Sequence, residues 1–280
     1  MIIKKILNNN AIITYDESGA EIIVMGRGIA YGKSTGQEID EKRIYKKFEL
    51  QSKESKNKLI EFLQEIPTEY IEISEKIIEY AKSTLNIKFD YSLYIKLTDH
   101  IFASINRYKE GIILKNKLIF DIKCFYKKEF EVGVFALDLI KQKYGIEMKE
   151  DEACFIALHI VSSEIGNDLK DVYEITSFIQ EIIKIVKYNF GIEFDRESLS
   201  YYRFITHLKF FGQRVFSQIK SNEEESLSND LLEMMKEKYV QAYLCSLKIK
   251  EYIEEQYAYF LDADEILYLT IHIAKVTQGK

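Results

Sequence analysis

The sequence predicts a multidomain protein: a small all-β antiparallel domain at the N-terminus, followed by two homologous all-α helical domains. Three observations carry this. Short β-branched and aromatic runs alternate with turn signals up to about Phe48, the chain beyond holds helical periodicity with few breakers, and that helical part repeats itself. A chain of 280 residues with 47% hydrophobic content has the material for two or three cores.

The apolar runs at the N-terminus are Ile2 to Leu7, Ala11 to Tyr15, Glu21 to Met25, Ile29 to Tyr31 and Arg43 to Phe48. They read as strands, because branched and aromatic side chains suit a pleated surface. Between them stand Asn8-Asn9-Asn10, Asp16-Glu17-Ser18-Gly19 and Gly26-Arg27-Gly28, which are turn chemistry and predict hairpins. A domain of fewer than about 60 residues has a marginal core, so a second copy would stabilise it.

The polar stretch Gln51 to Lys58, ending near Pro67, is expected to be a linker, which places the first domain at 1–58. Beyond it, Ile73, Ile77, Ile78, Ala81 and Leu85 fall on one face of a helix spanning Ile71 to Leu85. The single proline leaves little to interrupt such helices.

An internal repeat of roughly 105 to 113 residues divides the remainder. Asn86-Ile87-Lys88-Phe89-Asp90 matches Gly191-Ile192-Glu193-Phe194-Asp195, each followed by a helical segment with a histidine, His100 and His207. Residues 144–160 then align without a gap on 257–273, superposing Asp151-Glu152 on Asp264-Glu265 and His159 on His272. The acidic pair should open a helix, favoured there by the helix dipole, with the histidine two turns later. The copies are expected to divide between Gly166 and Val172, giving domains at 59–170 and 171–280.

All four histidines of the chain therefore occupy corresponding places in the two copies. Any one of them alone reads as a core histidine with one satisfied nitrogen. Placed symmetrically, they admit three functional readings: metal ligands, acid/base catalysts, or acceptors of a phosphoryl group. No H-E-x-x-H or Cys/His spacing supports a metal, and no Walker sequence or nucleophile elbow supports an enzyme, so neither metal nor other cofactor is expected. Phosphoryl acceptance has local support, since Arg107 and Arg214 each follow a histidine by seven residues, two turns along the same helix face. Asp99 is placed to orient the His100 ring.

Charge separates the ends of the chain. Residues 1–58 hold 11 Lys+Arg against 8 Asp+Glu, a balance of +3, and the remainder holds 28 against 37, a balance of -9. A mildly basic domain on an acidic body suits a polyanion at one end only. Cys124, Cys154 and Cys245 lie far apart and read as small buried apolar residues. No segment approaches the roughly 18 apolar residues of a membrane span and no signal peptide opens the chain, so it is expected to be cytoplasmic without membrane insertion.

The segments Lys5 to Asn10, Val24-Met25-Gly26-Arg27-Gly28 with Tyr31, Leu97-Thr98-Asp99-His100 and Asp151-Glu152 to Ile160 resemble the BglG/SacY family of transcriptional antiterminators, most nearly its β-glucoside members. The second copy departs from the pattern, with Thr206 before His207 where Asp99 precedes His100. The resemblance implies a four-stranded co-antiterminator domain that dimerises and binds an mRNA leader hairpin, and two regulation domains of the sugar phosphotransferase system. It implies RNA contacts at Lys5, Asn8, Asn10, Gly26, Arg27, Gly28 and Tyr31, chemistry suited to base edges, phosphate and stacking. It further implies phosphorylation of His207 and His272 by HPr as the activating input, and of His100 and His159, linked to the sugar-specific enzyme II, as the inhibiting one. The resemblance thus implies a binding protein and not an enzyme: it stops a terminator from folding by holding the alternative RNA structure. A DNA-binding activator with similar regulation domains is the rival, for which a helix-turn-helix would have to replace the N-terminal strands.

Overall fold

The computed structural model describes residues 1–49, 53–166, 168–218 and 225–277. Four strands, β1 (Lys5–Asn8), β2 (Ala11–Tyr15), β3 (Glu21–Gly26) and β4 (Ile44–Phe48), form one antiparallel sheet in sequential order. Among the described residues eleven helices follow: α1 (Lys53–Glu65), α2 (Thr68–Leu85), α3 (Tyr91–Lys109), α4 (Ile119–Phe125), α5 (Lys127–Tyr144), α6 (Glu150–Ile165), α7 (Leu169–Phe190), α8 (Leu199–Ser217), α9 (Glu225–Lys238), α10 (Val240–Tyr257) and α11 (Ala263–Thr277).

The strands read as unbroken apolar runs because the sheet is buried on both faces. Ile12, Ile22 and Val24 point to one side, where Ile3, Ile29, Ala30 and Ile39 close a small core. Their neighbours Ala11, Ile13, Ile23 and Met25, joined by Phe48, point to the other and merge with the core of α1, α2 and α3. The helices thus enlarge the core of a domain that is marginal by itself.

Two expectations of local structure give way. Ile29 to Tyr31 is a turn, because Gly28 and Gly32 on either side adopt φ of +61° and +68° and the Ile29 and Tyr31 amides donate back to Gly26 and Gly28. Its apolar character comes from burial of Ile29 and Ala30 against the sheet. The polar segment expected as a linker becomes helix α1 from Lys53 onward, with Gln51 and Ser52 outside the described residues. Leu59, Leu63 and Ile66, at i, i+4 and i+7, form a buried stripe that fixes that helix against the sheet and α2.

The chain forms two compact units, residues 1–116 with 128–165, and residues 117–127 with 166–280. The first therefore joins the β domain to most of the first repeat. The second holds the second repeat and borrows α4, anchored by Gln180 Nε2 donating to Asp121 Oδ2 at 2.9 Å and Lys209 Nζ donating to the Phe125 carbonyl at 2.5 Å. Tyr126 beside them is 1% exposed. Of the cysteines, Cys154 and Cys245 are buried and Cys124 half-buried, all three as free thiols.

Candidate functional site

The sequence-predicted RNA residues divide into a scaffold and a surface. Asn8 donates its amide to the Leu63 carbonyl at 2.6 Å and accepts from the Asn10 backbone amide at 2.8 Å. Asn10 in turn accepts from the Gly28 amide with its side-chain oxygen and from the Gly26 amide with its carbonyl. The β1–β2 turn and the 26–28 loop are thereby tied to each other. Gly26 lets the chain before β4 close on this loop, because a Cβ there would lie 2.4 Å from the Arg43 carbonyl oxygen. Lys5 and Arg27 are exposed and Tyr31 is 75% exposed, so one aromatic and two cations stand in water around a rigid loop. Sequence reasoning missed Arg43, whose Nη1 donates to the Gly28 carbonyl at 3.2 Å while its Nε pairs with Asp40 at 3.5 Å. It lies 15 residues from Gly28 along the chain, beyond any local spacing rule.

Each histidine pair meets across two helices. In the first unit His100 on α3 and His159 on α6 have ring centroids 4.7 Å apart. In the second His207 on α8 and His272 on α11 repeat that distance, again 4.7 Å. The helices are placed by their apolar faces, Leu97, Ile101 and Ile105 of α3 packing with Ile156 and Ile160 of α6. N-terminal caps set their starts: Asp90 accepts from the Ser92 amide before α3 and Ser198 from the Tyr201 amide before α8.

Around these pairs the sequence identified the arginines and left out the carboxylate that joins them. Glu152 Oε2 lies 3.1 Å from His100 Nε2, and its Oε1 lies 3.5 Å from Arg107 Nη2. In the second unit Glu265 Oε1 receives Arg214 Nε at 2.9 Å and the Tyr259 hydroxyl at 3.3 Å. Asp99 is exposed, and the carboxylate beside the His100 ring is Glu152 from the facing helix. Thr206, in the place of Asp99, turns its hydroxyl to the Tyr202 carbonyl of its own helix at 2.9 Å. The signal for the glutamates was the repeated Asp-Glu opening, read there only as helix-start chemistry.

Burial favours the neutral form of His159, His207 and His272. His159 is pushed down to about 3 by desolvation, then by His100 and Lys96. His207 is likewise pushed down to about 3 by desolvation, then by His272 and Arg214. His272 is lowered by desolvation, with Lys275 and Arg203 adding to it. Both His159 Nδ1 and His207 Nε2 are buried without a hydrogen-bond partner. A neutral imidazole keeps a lone pair on one nitrogen, which is what a nucleophile needs. Glu265 moves up, chiefly by desolvation, with Arg214 opposing the shift. Among the described residues, no group of three or more His, Cys, Asp or Glu could hold a metal ion.

A basic-rimmed loop on a small sheet, followed by two histidine-paired helical units, defines a two-part regulator: a nucleic-acid reader joined to a duplicated module. Comparison with known proteins agrees, since residues 1–57 match the family model of the CAT RNA binding domain and residues 75–163 and 180–276 match that of the PRD domain. The chain is 48% identical to the transcription antiterminator LicT of Bacillus subtilis over 99% of both chains. It is 41% identical to the β-glucoside operon antiterminator of Dickeya chrysanthemi over 99% of this chain and 96% of that protein. The crystal structure of GlcT CAT-PRDI matches with a TM-score of 0.52 at 29% identity, covering 58% of this chain and 96% of that one. This chain belongs to the BglG/LicT family of transcriptional antiterminators, RNA-binding regulators that are not enzymes. No described helix is long and apolar enough to cross a membrane.

Proposed function

We propose that this chain is the antiterminator of a β-glucoside utilisation operon, acting in the cytoplasm as a homodimer on the leader hairpin of its own transcript. Lys5, Arg27 and Tyr31 would contact the RNA, on a loop framed by Asn8, Asn10, Gly26 and Gly28. Residues 1–58 would form the RNA-binding domain, 59–170 the first and 171–280 the second regulation domain.

The observation that carries the regulatory half is the paired imidazoles at 4.7 Å in both copies, each with an arginine and a glutamate at hand. His100, His159, His207 and His272 would accept phosphoryl groups from HPr and, in the first copy, from the sugar-specific enzyme II. In each transfer the lone pair of a neutral imidazole nitrogen attacks phosphorus, the donor atom's bond to phosphorus breaks, and its electron pair returns to the donor. No cofactor is consumed. The modification adds close to two negative charges, enough to repack a helix interface. The test is a gel shift of the full chain on its own leader RNA, before and after treatment with phosphorylated HPr, with light scattering for its mass. RNA binding that is lost in Arg27→Ala, and a dimer fraction that rises on phosphorylation, are expected. Preference for duplex DNA of the same sequence would overturn the reading.

A further inference from the structure

In both repeat copies an arginine from the helix of the first histidine is engaged by a glutamate from the helix of the second. The two contacts arise at corresponding positions, Arg107 with Glu152 at 3.5 Å and Arg214 with Glu265 at 2.9 Å. Each arginine thus already has an anionic partner, and a group carried on its neighbouring histidine would have to compete with that carboxylate for it. The phosphoryl group and the carboxylate are chemically alike to a guanidinium: both are anionic oxygen acceptors that fit its fork.

We propose that Glu152 and Glu265 are positioning residues that occupy Arg107 and Arg214 until a phosphoryl group on the neighbouring histidine takes each arginine over. This rests on the reading of the histidines as phosphoryl acceptors. Three features support the exchange. Glu152 spans both partners, with one oxygen at the His100 ring and the other at Arg107, so it stands where phosphoryl oxygens on His100 would seek the same arginine. Arg107 has unused capacity, because its Nε is buried without a hydrogen-bond partner. Glu265 likewise keeps one oxygen, Oε2, buried and unpartnered while the other is shared by Arg214 and Tyr259. In both pairs the carboxylate is the more buried partner and the arginine is part-exposed, so an ion pair completed on one side only leaves the glutamate's desolvation poorly offset. A phosphoryl group with three acceptor oxygens completes the arginine's bonds, and the released carboxylate, protonated or turned to solvent, is the part that moves.

The test uses the full chain and potassium phosphoramidate, a small donor that phosphorylates histidine without a docking surface. Incorporation at His100 and the lifetime of the phosphohistidine are followed by site-resolved mass spectrometry. Glu152→Gln is nearly isosteric and is expected to raise incorporation and prolong the lifetime by about tenfold, the size of one charge-assisted hydrogen bond. Arg107→Ala should shorten the lifetime, and Glu152→Gln combined with Arg107→Ala should behave as Arg107→Ala alone. Arg107→Lys, which keeps the charge and loses the fork, should sit between. Glu265→Gln should act on His207 through Arg214 in the same way. That dependence on the arginine is the readout a purely structural glutamate would not produce. Phosphorylation of the unmodified chain with no gain in Glu152→Gln, or a gain that persists without Arg107, overturns the exchange alone. Failure of the unmodified chain to take up any phosphoryl group overturns it together with the phosphorylation reading.

Discussion

The two repeat copies place an arginine and a glutamate beside a histidine pair and wire them differently. In the first, the glutamate reaches both the histidine and the arginine, whereas in the second it meets the arginine and a tyrosine hydroxyl. The gapless alignment explains why: Tyr259 stands where Ile146 stands in the first copy. An isoleucine donates nothing, so Glu152 turns to His100. A tyrosine donates, so Glu265 is drawn away and His207 Nε2 is left buried without a partner. Duplicated sequence thus conserves the residues of a site more readily than their bonds.

The helix pairs beneath the sites differ as well, and the largest expected effect lies there. Gly133 on α5 meets α6 so closely that a Cβ would lie 2.2 Å from the Ala153 carbonyl oxygen. The equivalent residue of the second copy is Ser246, whose hydroxyl lies 3.0 Å from the Thr270 hydroxyl. One pair of helices is joined by backbone contact and the other by a hydrogen bond. Gly133→Ser should therefore cost about 3 kcal/mol in urea unfolding through overpacking. Ser246→Ala should cost about 1 kcal/mol. Equal losses would break the comparison.

Acid should act through His159 and His207 in the two units alike. Both rings have folded values far below that of an unfolded histidine, so the unfolded chain takes up protons that the folded one refuses. Stability is then full above about pH 6.5 and falls as pH drops toward 3, by up to about 1.4 kcal/mol per pH unit for each ring. Glu265 in the second unit and Glu75 in the first, both raised by burial, work in the opposite sense. Urea unfolding at a series of pH values, with His159→Gln and His207→Gln, separates the units. A slope that neither variant flattens would show that the rings are not the acid-sensitive groups.

A smaller effect probes the wiring directly. Tyr259→Phe removes one donor to Glu265 and should cost about 1 kcal/mol while letting the carboxylate approach His207, which nitrogen-15 chemical shifts of the ring report. Unchanged shifts would mean that Arg214 alone holds Glu265 in place. Smallest of all is a backbone change. Helix α5 ends at Gly145 with φ +68°, and α10 ends at Ala258 with φ +52°, where a methyl group is strained. Ala258→Gly should raise the unfolding free energy by about 1 kcal/mol, and Gly145→Ala should lower it by about the same.

Much of this was legible because the repeat is long and its histidines are few. The match of 144–160 to 257–273 located the starts of α6 and α11 and put His159 and His272 two turns into them, whereas their approach to His100 and His207 appears only in the fold. The strands were legible from turn residues, except that buried Ile29 and Ala30 mimic a strand within a turn. Helix α1 was hidden because its first half is a polar run, Lys53 to Lys58, and the apolar residues that pack it, Leu59, Ile60, Phe62, Leu63 and Ile66, come only after it. Glu152 and Glu265 escaped as site residues for a different reason. Periodicity shows what shares a helix, while the pairs Arg107–Glu152 and Arg214–Glu265 form between helices separated by about half of each repeat. Likewise Asp99 looked like the partner of His100 because it adjoins it, and neighbours in a helix point apart.

The loan of residues 117–127 to the second unit makes the chain pass between the units three times. A protease or a truncation that cuts once cannot release two whole pieces: a fragment ending at Ile165 keeps α4 but loses α7 and α8, stranding the apolar side chains of Ile122, Phe125 and Tyr126. Deleting the second regulation domain therefore does more than remove a sensor, because it uncovers adhesive surface on what remains. Such a fragment should self-associate through that surface, and its oligomeric state would then report the amputation rather than the regulation of the intact protein.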